Sequence, residues 1–370
     1  MVMDKKSIIS SILLFPFSVL YGMVVIVRNW LFNIGILPSE RFDVPIICVG
    51  NITVGGTGKT PFTEYLIRLL KPKYKIGVLS RGYKRKSRGY VLASKDPSPL
   101  LIGDEPCQIK NKFPEAIVAV DANRREGIRN MLKDTGPKPN VIILDDAFQH
   151  RYVNPDVSIL LIDYTRLITE DRLLPLGQLR EPVRAKNRAN FVVVTKCPRN
   201  IKPIELRIIT KSLNLYPYQT LSFTTLTYED PVPVFLKKAQ HKMTMARLKE
   251  ENYAIISLSG IASPQPFEDY LSGYTKELVS LRFSDHRNFS QKDVNTIEKS
   301  FEAVLNPNKI ILTTEKDAVR IKNNPLFPKQ LRNRICYIPL SVSFMLDQEK
   351  SFNKQIYDYV GRSKQSMRVF

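Results

Sequence analysis

Gly55, Gly56, Gly58, Lys59 and Thr60 stand close together in the stretch VGNITVGGTGKTP, residues 49–61. Glycines let backbone N–H groups converge on phosphate oxygens without Cβ clashes, and a helix N-terminus adds the positive end of a dipole. A lysine here reaches β- and γ-phosphates, and a threonine hydroxyl suits Mg²⁺. Thr53 stands where a glycine five residues before Gly58 is usual, so the extra glycines indicate a variant loop. Two pairs of carboxylates extend this chemistry. Residues 141–144 (VIIL) run into Asp145-Asp146-Ala147-Phe148-Gln149-His150. An apolar strand ending in Asp is the arrangement that holds a nucleotide's Mg²⁺. Adjacent carboxylates at a strand end are costly unless a metal or base role uses them. Asp104-Glu105, between Gly103 and Pro106, suit Mg²⁺ ligation or general-base work. Arg180-Glu181, in the LPLGQLREP loop of residues 174–182, suit clamping a phosphate or substrate.

The elements that must position these groups show in the apolar pattern. Residues 45–49 (PIICV) read as a buried strand, and Phe62, Leu66, Leu69 and Leu70 recur at helical spacing after the glycines. Residues 75–79 (KIGVL) form a second strand, ending in Ser80-Arg81-Gly82-Tyr83 and then the basic run of residues 84–88. Loops at the carboxyl ends of such strands are where ligands bind, which marks Arg81 and Tyr83. Further strands at 117–120, 158–162 and 191–195 alternate with plausible helices. The pattern predicts an α/β fold, a doubly wound, mostly parallel sheet of P-loop NTPase type.

From about residue 218 the texture changes. Residues 220–228 (TLSFTTLTY) alternate as a half-buried strand, and residues 253–258 (YAIISL) open a second α/β unit. Residues 336–343 are expected to return and pair near residue 222, and 348–359 to form a helix. The division expected is an N-terminal apolar segment (1–35), a nucleotide-binding domain (36–220), a smaller α/β domain with linker strands at its ends (221–345), and a C-terminal helix and tail (346–370). His286, in Ser284-Asp285-His286, can orient a carboxylate base and tune its proton affinity.

Lys and Arg outnumber Asp and Glu by 56 to 35 in 370 residues, a formal charge of +21. This balance calls for an anionic partner. No RNP, zinc-finger or clear helix-turn-helix pattern supports nucleic acid. Four scattered cysteines without a CxxC pair read as reduced apolar residues of a cytosolic protein. Residues 8–27 are almost wholly apolar, with Lys5 and Lys6 before them and Arg28 after. That length permits a spanning helix, a monotopic anchor in one leaflet, or a helix packed on the core. Flanking cations on both sides favour the monotopic anchor.

Taken in order, these pieces resemble the tetraacyldisaccharide 4′-kinase, or lipid A 4′-kinase, family of Gram-negative bacteria. The resemblance covers nearly the whole chain. It rests on the apolar N-terminus, residues 49–61, Ser80-Arg81-Gly82-Tyr83, Gly103-Asp104-Glu105-Pro106, residues 145–150, Gly177-Gln178-Leu179-Arg180-Glu181-Pro182, Asp285-His286 and Thr314-Glu315-Lys316-Asp317-Ala318. The commoner pattern has glycine where Ala147 stands. The resemblance implies transfer of the ATP γ-phosphate to the 4′-hydroxyl of tetraacyldisaccharide 1-phosphate at the cytoplasmic face of the inner membrane. It implies Asp104 as base, assisted by His286, and Lys59 on the phosphates. It implies Asn51, Gly55, Gly56, Thr57, Gly58 and Thr60 around ATP, with Thr60, Glu105 and Asp145 serving Mg²⁺. Asp146, His150, Arg180 and Glu181 complete the site, and Arg81 and Tyr83 face the substrate. The partners implied are an anionic glycolipid and the membrane surface, for a monomeric enzyme. A membrane-associated nucleotide switch and a kinase of another acceptor stay open. The first would carry an NKxD-type motif, of which Thr195-Lys196-Cys197-Pro198 is only an echo.

Overall fold

The computed structural model describes residues 5–134, 136–235, 243–285 and 287–367. Among these, the strands are β1 (Ile46–Gly50), β2 (Ile76–Ser80), β3 (Val91–Leu92), β4 (Ile117–Val120), β5 (Val141–Asp145), β6 (Val157–Asp163) and β7 (Phe191–Thr195). They continue with β8 (Thr220–Tyr228), β9 (Val232–Pro233), β10 (Ala254–Ser259), β11 (Leu278–Arg282), β12 (Lys309–Thr314), β13 (Ile335–Ile338) and β14 (Leu340–Phe344).

Nine strands form one sheet in the order β14-β8-β7-β6-β1-β5-β2-β4-β3. It is parallel from β8 through β4, with antiparallel pairs only at its two edges. The central strands are apolar throughout because both faces are covered. On β1, Ile47 and Val49 meet Phe62, Leu66 and Leu70 of the helix Lys59–Leu70. Ile46 and Cys48 point the other way, toward Ile128 and Met131 of the helix Arg124–Lys133. The chain leaves β1 to one side for β2 and β4, returns through β5, and crosses to β6 on the other side. That reversal opens a crevice beyond the carboxyl end of β1.

A second sheet runs β11-β10-β12-β13-β9. The expected return of residues 336–343 is divided at Pro339. Residues before it form β13, parallel to β12 in the second sheet. Residues after it form β14, antiparallel to β8 with Phe344 opposite Thr224. Proline lacks the N–H that a continuous strand would donate, so one run serves two sheets. The C-terminal helix Gln348–Met367 then packs Phe352, Ile356 and Val360 into the core of the first sheet.

The first helix, Lys5–Asn33, docks through a narrow polar stripe. Ser18 Oγ donates to the Leu173 carbonyl at 2.9 Å, Tyr21 Oη to the Arg180 carbonyl at 2.9 Å, and Arg28 Nη2 to the Gln149 carbonyl at 2.9 Å. Phe15, Phe17, Leu20, Val24, Val27 and Trp30 are each more than half exposed or close to it, and only 11% of the helix's apolar window is buried. A helix packed in the core is therefore excluded.

Candidate active site

Gly58 caps the helix Lys59–Leu70 with φ +80°, a left-handed conformation that a side chain would strain. The helix N-terminus and its Lys59 thus face the crevice beyond β1. Lys59 Nζ lies 3.7 Å from Asp146 Oδ1, and Arg180 Nη1 lies 3.6 Å from Asp146 Oδ2. Arg180 is held there by its own backbone. Its N–H donates to the Ile52 carbonyl at 2.7 Å, and Val54 N donates to the Gln178 carbonyl at 2.8 Å. The 174–182 loop is thereby zipped along the glycine loop. Thr195, at the end of β7, donates through Oγ1 to the Thr57 carbonyl at 2.9 Å. Asn51, at the exit of β1, is fully buried and donates to Thr53 Oγ1 at 3.2 Å.

Asp145 ends β5 almost fully buried. Its Oδ1 accepts from Thr63 Oγ1 at 3.1 Å. Burial first, then the neighbouring charges of Glu105 and Asp146, push its carboxyl up to about 7, against the pull of Lys59 and Thr63. Asp145 Oδ2, Asp146 Oδ1, Asn51 Oδ1 and Thr57 Oγ1 are buried without a hydrogen-bond partner. Buried polar atoms without partners mark a place for a ligand. Among the described residues, no three His, Cys, Asp or Glu side chains gather as a metal cage. Mg²⁺ does not need one, because it binds through one or two carboxylates plus phosphate oxygens. Asp145 and Asp146, with Thr60 at the helix start and Glu105 within electrostatic reach, fit that pattern. The left-handed turn after β5 falls on Asp146, φ +49°, and not on Ala147. Aspartate tolerates this conformation, so Ala147 in place of glycine introduces no strain.

Asp104 opens the helix Asp104–Lys112, with Gly103 as its cap at φ +90°. A Cβ on Gly103 would meet the Tyr83 carbonyl at 3.0 Å, so this glycine lets Asp104 sit against the Arg81–Tyr83 turn. Arg81 and Tyr83 themselves are exposed. Asp104 Oδ2 accepts from Arg320 Nε at 3.2 Å and from its Nη2 at 2.5 Å. Arg320 also holds the buried Asp317 at 3.2 Å, whose Oδ2 accepts from Gly260 N at 2.8 Å. A parallel link runs from Glu64 through Lys112 to Glu315, with Lys112 Nζ 2.7 Å from Glu315 Oε1. Two ionic links therefore tie the helix Glu315–Lys322, which follows β12, to the first sheet's side: one at Asp104 itself, the other at Lys112 on the far end of the same helix. His286 lies outside the described residues.

Arg320 was not legible in the sequence as a site residue, although it stands two residues after the Thr314–Ala318 motif. Its side chain is 4% exposed. Removing one partner of a buried ion pair costs about 3–5 kcal/mol. Arg320→Ala should therefore lower the melting temperature markedly and reduce turnover, and Arg320→Lys should restore part of each. A melting temperature like the wild type's in Arg320→Ala would show that this contact holds nothing.

His150 is pushed down to about 4 by burial and then by Arg124, Arg125, Arg28 and Arg81. It is a neutral imidazole at physiological pH, suited to a hydroxyl and not to an anion. Arg124, unassigned in the sequence reading, is buried behind the strand end. It donates to the Asp121 carbonyl at 2.7 Å and the Asp145 carbonyl at 3.3 Å. Glu181 is 1% exposed and bound to Arg188 at 2.9 Å and to Asn29 Nδ2 at 3.0 Å. These contacts give Glu181 a positioning part, tying the first helix to the Arg180 loop.

The parallel sheet, the glycine loop capped onto a helix, and the acidic end of β5 define a P-loop NTPase-like protein. The sequence profile of the tetraacyldisaccharide-1-P 4′-kinase family matches residues 10–361, and the chain belongs to that family. The tetraacyldisaccharide 4′-kinase of Phocaeicola vulgatus is 49% identical over 354 residues, covering 95% of this chain and 96% of that protein. The protein of the same name from Flavobacterium johnsoniae is 45% identical, covering 94% and 96%. A crystal structure of the "apo" form of LpxK from Aquifex aeolicus in complex with ATP superposes with a TM-score of 0.71. It is 29% identical and covers 94% of this chain and 98% of that one.

Proposed function

We propose that this chain transfers the γ-phosphoryl group of ATP to the 4′-hydroxyl of tetraacyldisaccharide 1-phosphate, the step that yields lipid IVA in lipid A biosynthesis. The observation that carries the reading is the convergence of Lys59, Arg180, Asp145 and Asp146 at one strand-end crevice, in a chain matching this family almost end to end. The family name gives the acceptor, and the solved relative in complex with ATP supports the donor.

Lys59 and the helix N-terminus receive the β- and γ-phosphates. Asp104, assisted by His286, accepts the proton of the attacking 4′-hydroxyl as the hydroxyl oxygen bonds to the γ-phosphorus and the bond from that phosphorus to the β–γ bridging oxygen breaks, releasing ADP. Arg180 holds Asp146 in line. Asp145, Thr60 and Glu105 are the residues that would hold Mg²⁺, which neutralises phosphate charge when bound. Arg81, Tyr83 and the neutral His150 face the sugar. The exposed face of the first helix lies on the cytoplasmic leaflet of the inner membrane as a monotopic anchor, and the basic surface attracts the anionic acceptor. The enzyme acts as a monomer in this reading. The second sheet, joined through Arg320, closes over ATP before chemistry.

The test is a detergent-micelle assay with γ-labelled ATP, Mg²⁺ and the disaccharide 1-phosphate. Label on the lipid at the 4′ position is the expected result. Tight ATP binding without any labelled lipid would overturn the acceptor.

A further inference from the structure

The basic run of residues 84–88 has no part in the chemistry above. In the structure it folds onto the short helix Pro99–Ile102. Lys86 N donates to the Leu100 carbonyl at 2.8 Å, and Ser87 Oγ donates to the Leu101 carbonyl. The Ile102 carbonyl lies 2.9 Å from where a Cβ on Gly82 would stand, so the two segments form one tight knot. Ile102 is buried beneath it, while Leu100 and Leu101 turn outward, 51% and 53% exposed. Lys84, Lys86 and Arg88 are exposed around them. Residues 81–103 carry six Lys and Arg side chains against the single carboxylate of Asp96.

We propose that this knot is a second membrane-contacting surface, separate from the first helix, in which Leu100 and Leu101 enter the headgroup region of an anionic bilayer and Lys84, Lys86 and Arg88 meet its phosphates. Leu100 and Leu101, adjacent and turned outward beside exposed cations, make an apolar patch with a basic rim, and such a rim selects an acidic surface. The knot borders the Arg81–Tyr83 turn and, through Gly103, the helix of Asp104. The first helix borders the Arg180 loop. Two contacts on different walls of the crevice would fix its mouth against the leaflet. The choice of a bilayer as occupant rests on the function proposed above.

The test is sedimentation of the full-length protein with vesicles of phosphatidylcholine, and of equimolar phosphatidylcholine and phosphatidylglycerol. Lys86→Gln/Arg88→Gln should lose roughly ten- to thirtyfold in affinity for the mixed vesicles and little for the neutral ones. Leu100→Ser/Leu101→Ser should lose affinity for both. Emission of Trp30, the single tryptophan, reports the seating of the first helix at saturating lipid and should match the wild type in both variants. Turnover on micelle-dispersed substrate should also stay unchanged. Wild-type affinity for the mixed vesicles in the charge variant would overturn the proposal, whether or not the leucine variant folds. So would a micelle turnover that falls as far as vesicle affinity, because the knot would then belong to the catalytic crevice. Vesicle binding needs no substrate. A wild-type protein that binds anionic vesicles but labels no lipid would therefore count against the function alone.

Discussion

Lys59→Ala should abolish measurable phosphoryl transfer, with turnover falling at least a hundredfold. The side chain sits at the first residue of the loop helix, 13% exposed, where the positive helix end already points into the crevice. A preorganised charge aimed at a developing anion in such a site is worth about 2.7–4 kcal/mol of barrier, or two to three orders of magnitude. The fold should not suffer. Alanine is a good helix former, Asp146 keeps Arg180 at 3.6 Å, and Lys59 makes no other ion pair among the described residues. The melting temperature of the variant should therefore stay within a few degrees of the wild type's. Turnover and melting temperature measured on one preparation separate a lost charge from a lost fold. A variant that retains a tenth of wild-type turnover would remove Lys59 from the chemistry.

The first sheet's centre was legible because its strands are covered on both faces and read as unbroken apolar runs. The phosphate loop was legible because Gly58 must take a conformation that few residues accept. What stayed hidden was set by contacts distant in sequence. Arg320 meets Asp104 across 216 positions, and Thr63 meets Asp145 across 82. No local pattern announces either pairing. The helix that Asp104 opens was not marked in the sequence, because Gly103 and Pro106 flank the acidic pair. Proline is at home in the first turn of a helix, where its missing N–H would be unpaired anyway. The division of residues 335–344 between two sheets turns on Pro339, whose carbonyl accepts from Glu229 N at 2.9 Å. The apolar pattern on either side is the same, so the pattern predicts strands but not their sheets. Glu181 adds another distant pairing: its carboxylate accepts from Asn29, 152 positions away on the first helix.

Asp104→Asn should lower turnover by roughly a hundredfold to ten-thousandfold, the range for loss of a positioned general base. The ATP dissociation constant should change little, because the phosphate contacts assigned to Lys59 and the loop are untouched. Asparagine is the informative replacement. Its Oδ1 can still accept from Arg320, so the link to Asp317 and the second sheet persists. Asp104→Ala would instead leave a buried guanidinium without one of its partners, and a slower enzyme could then mean a loosened interface. Comparing the two separates proton transfer from position. If Asp104 is the base, Asn and Ala fall together in turnover, while only Ala loses melting temperature. If Asp104 serves mainly to anchor Arg320, Asn keeps most of the activity and Ala does not. Near wild-type turnover in Asp104→Asn would move the base to another group, with His286 the first to replace.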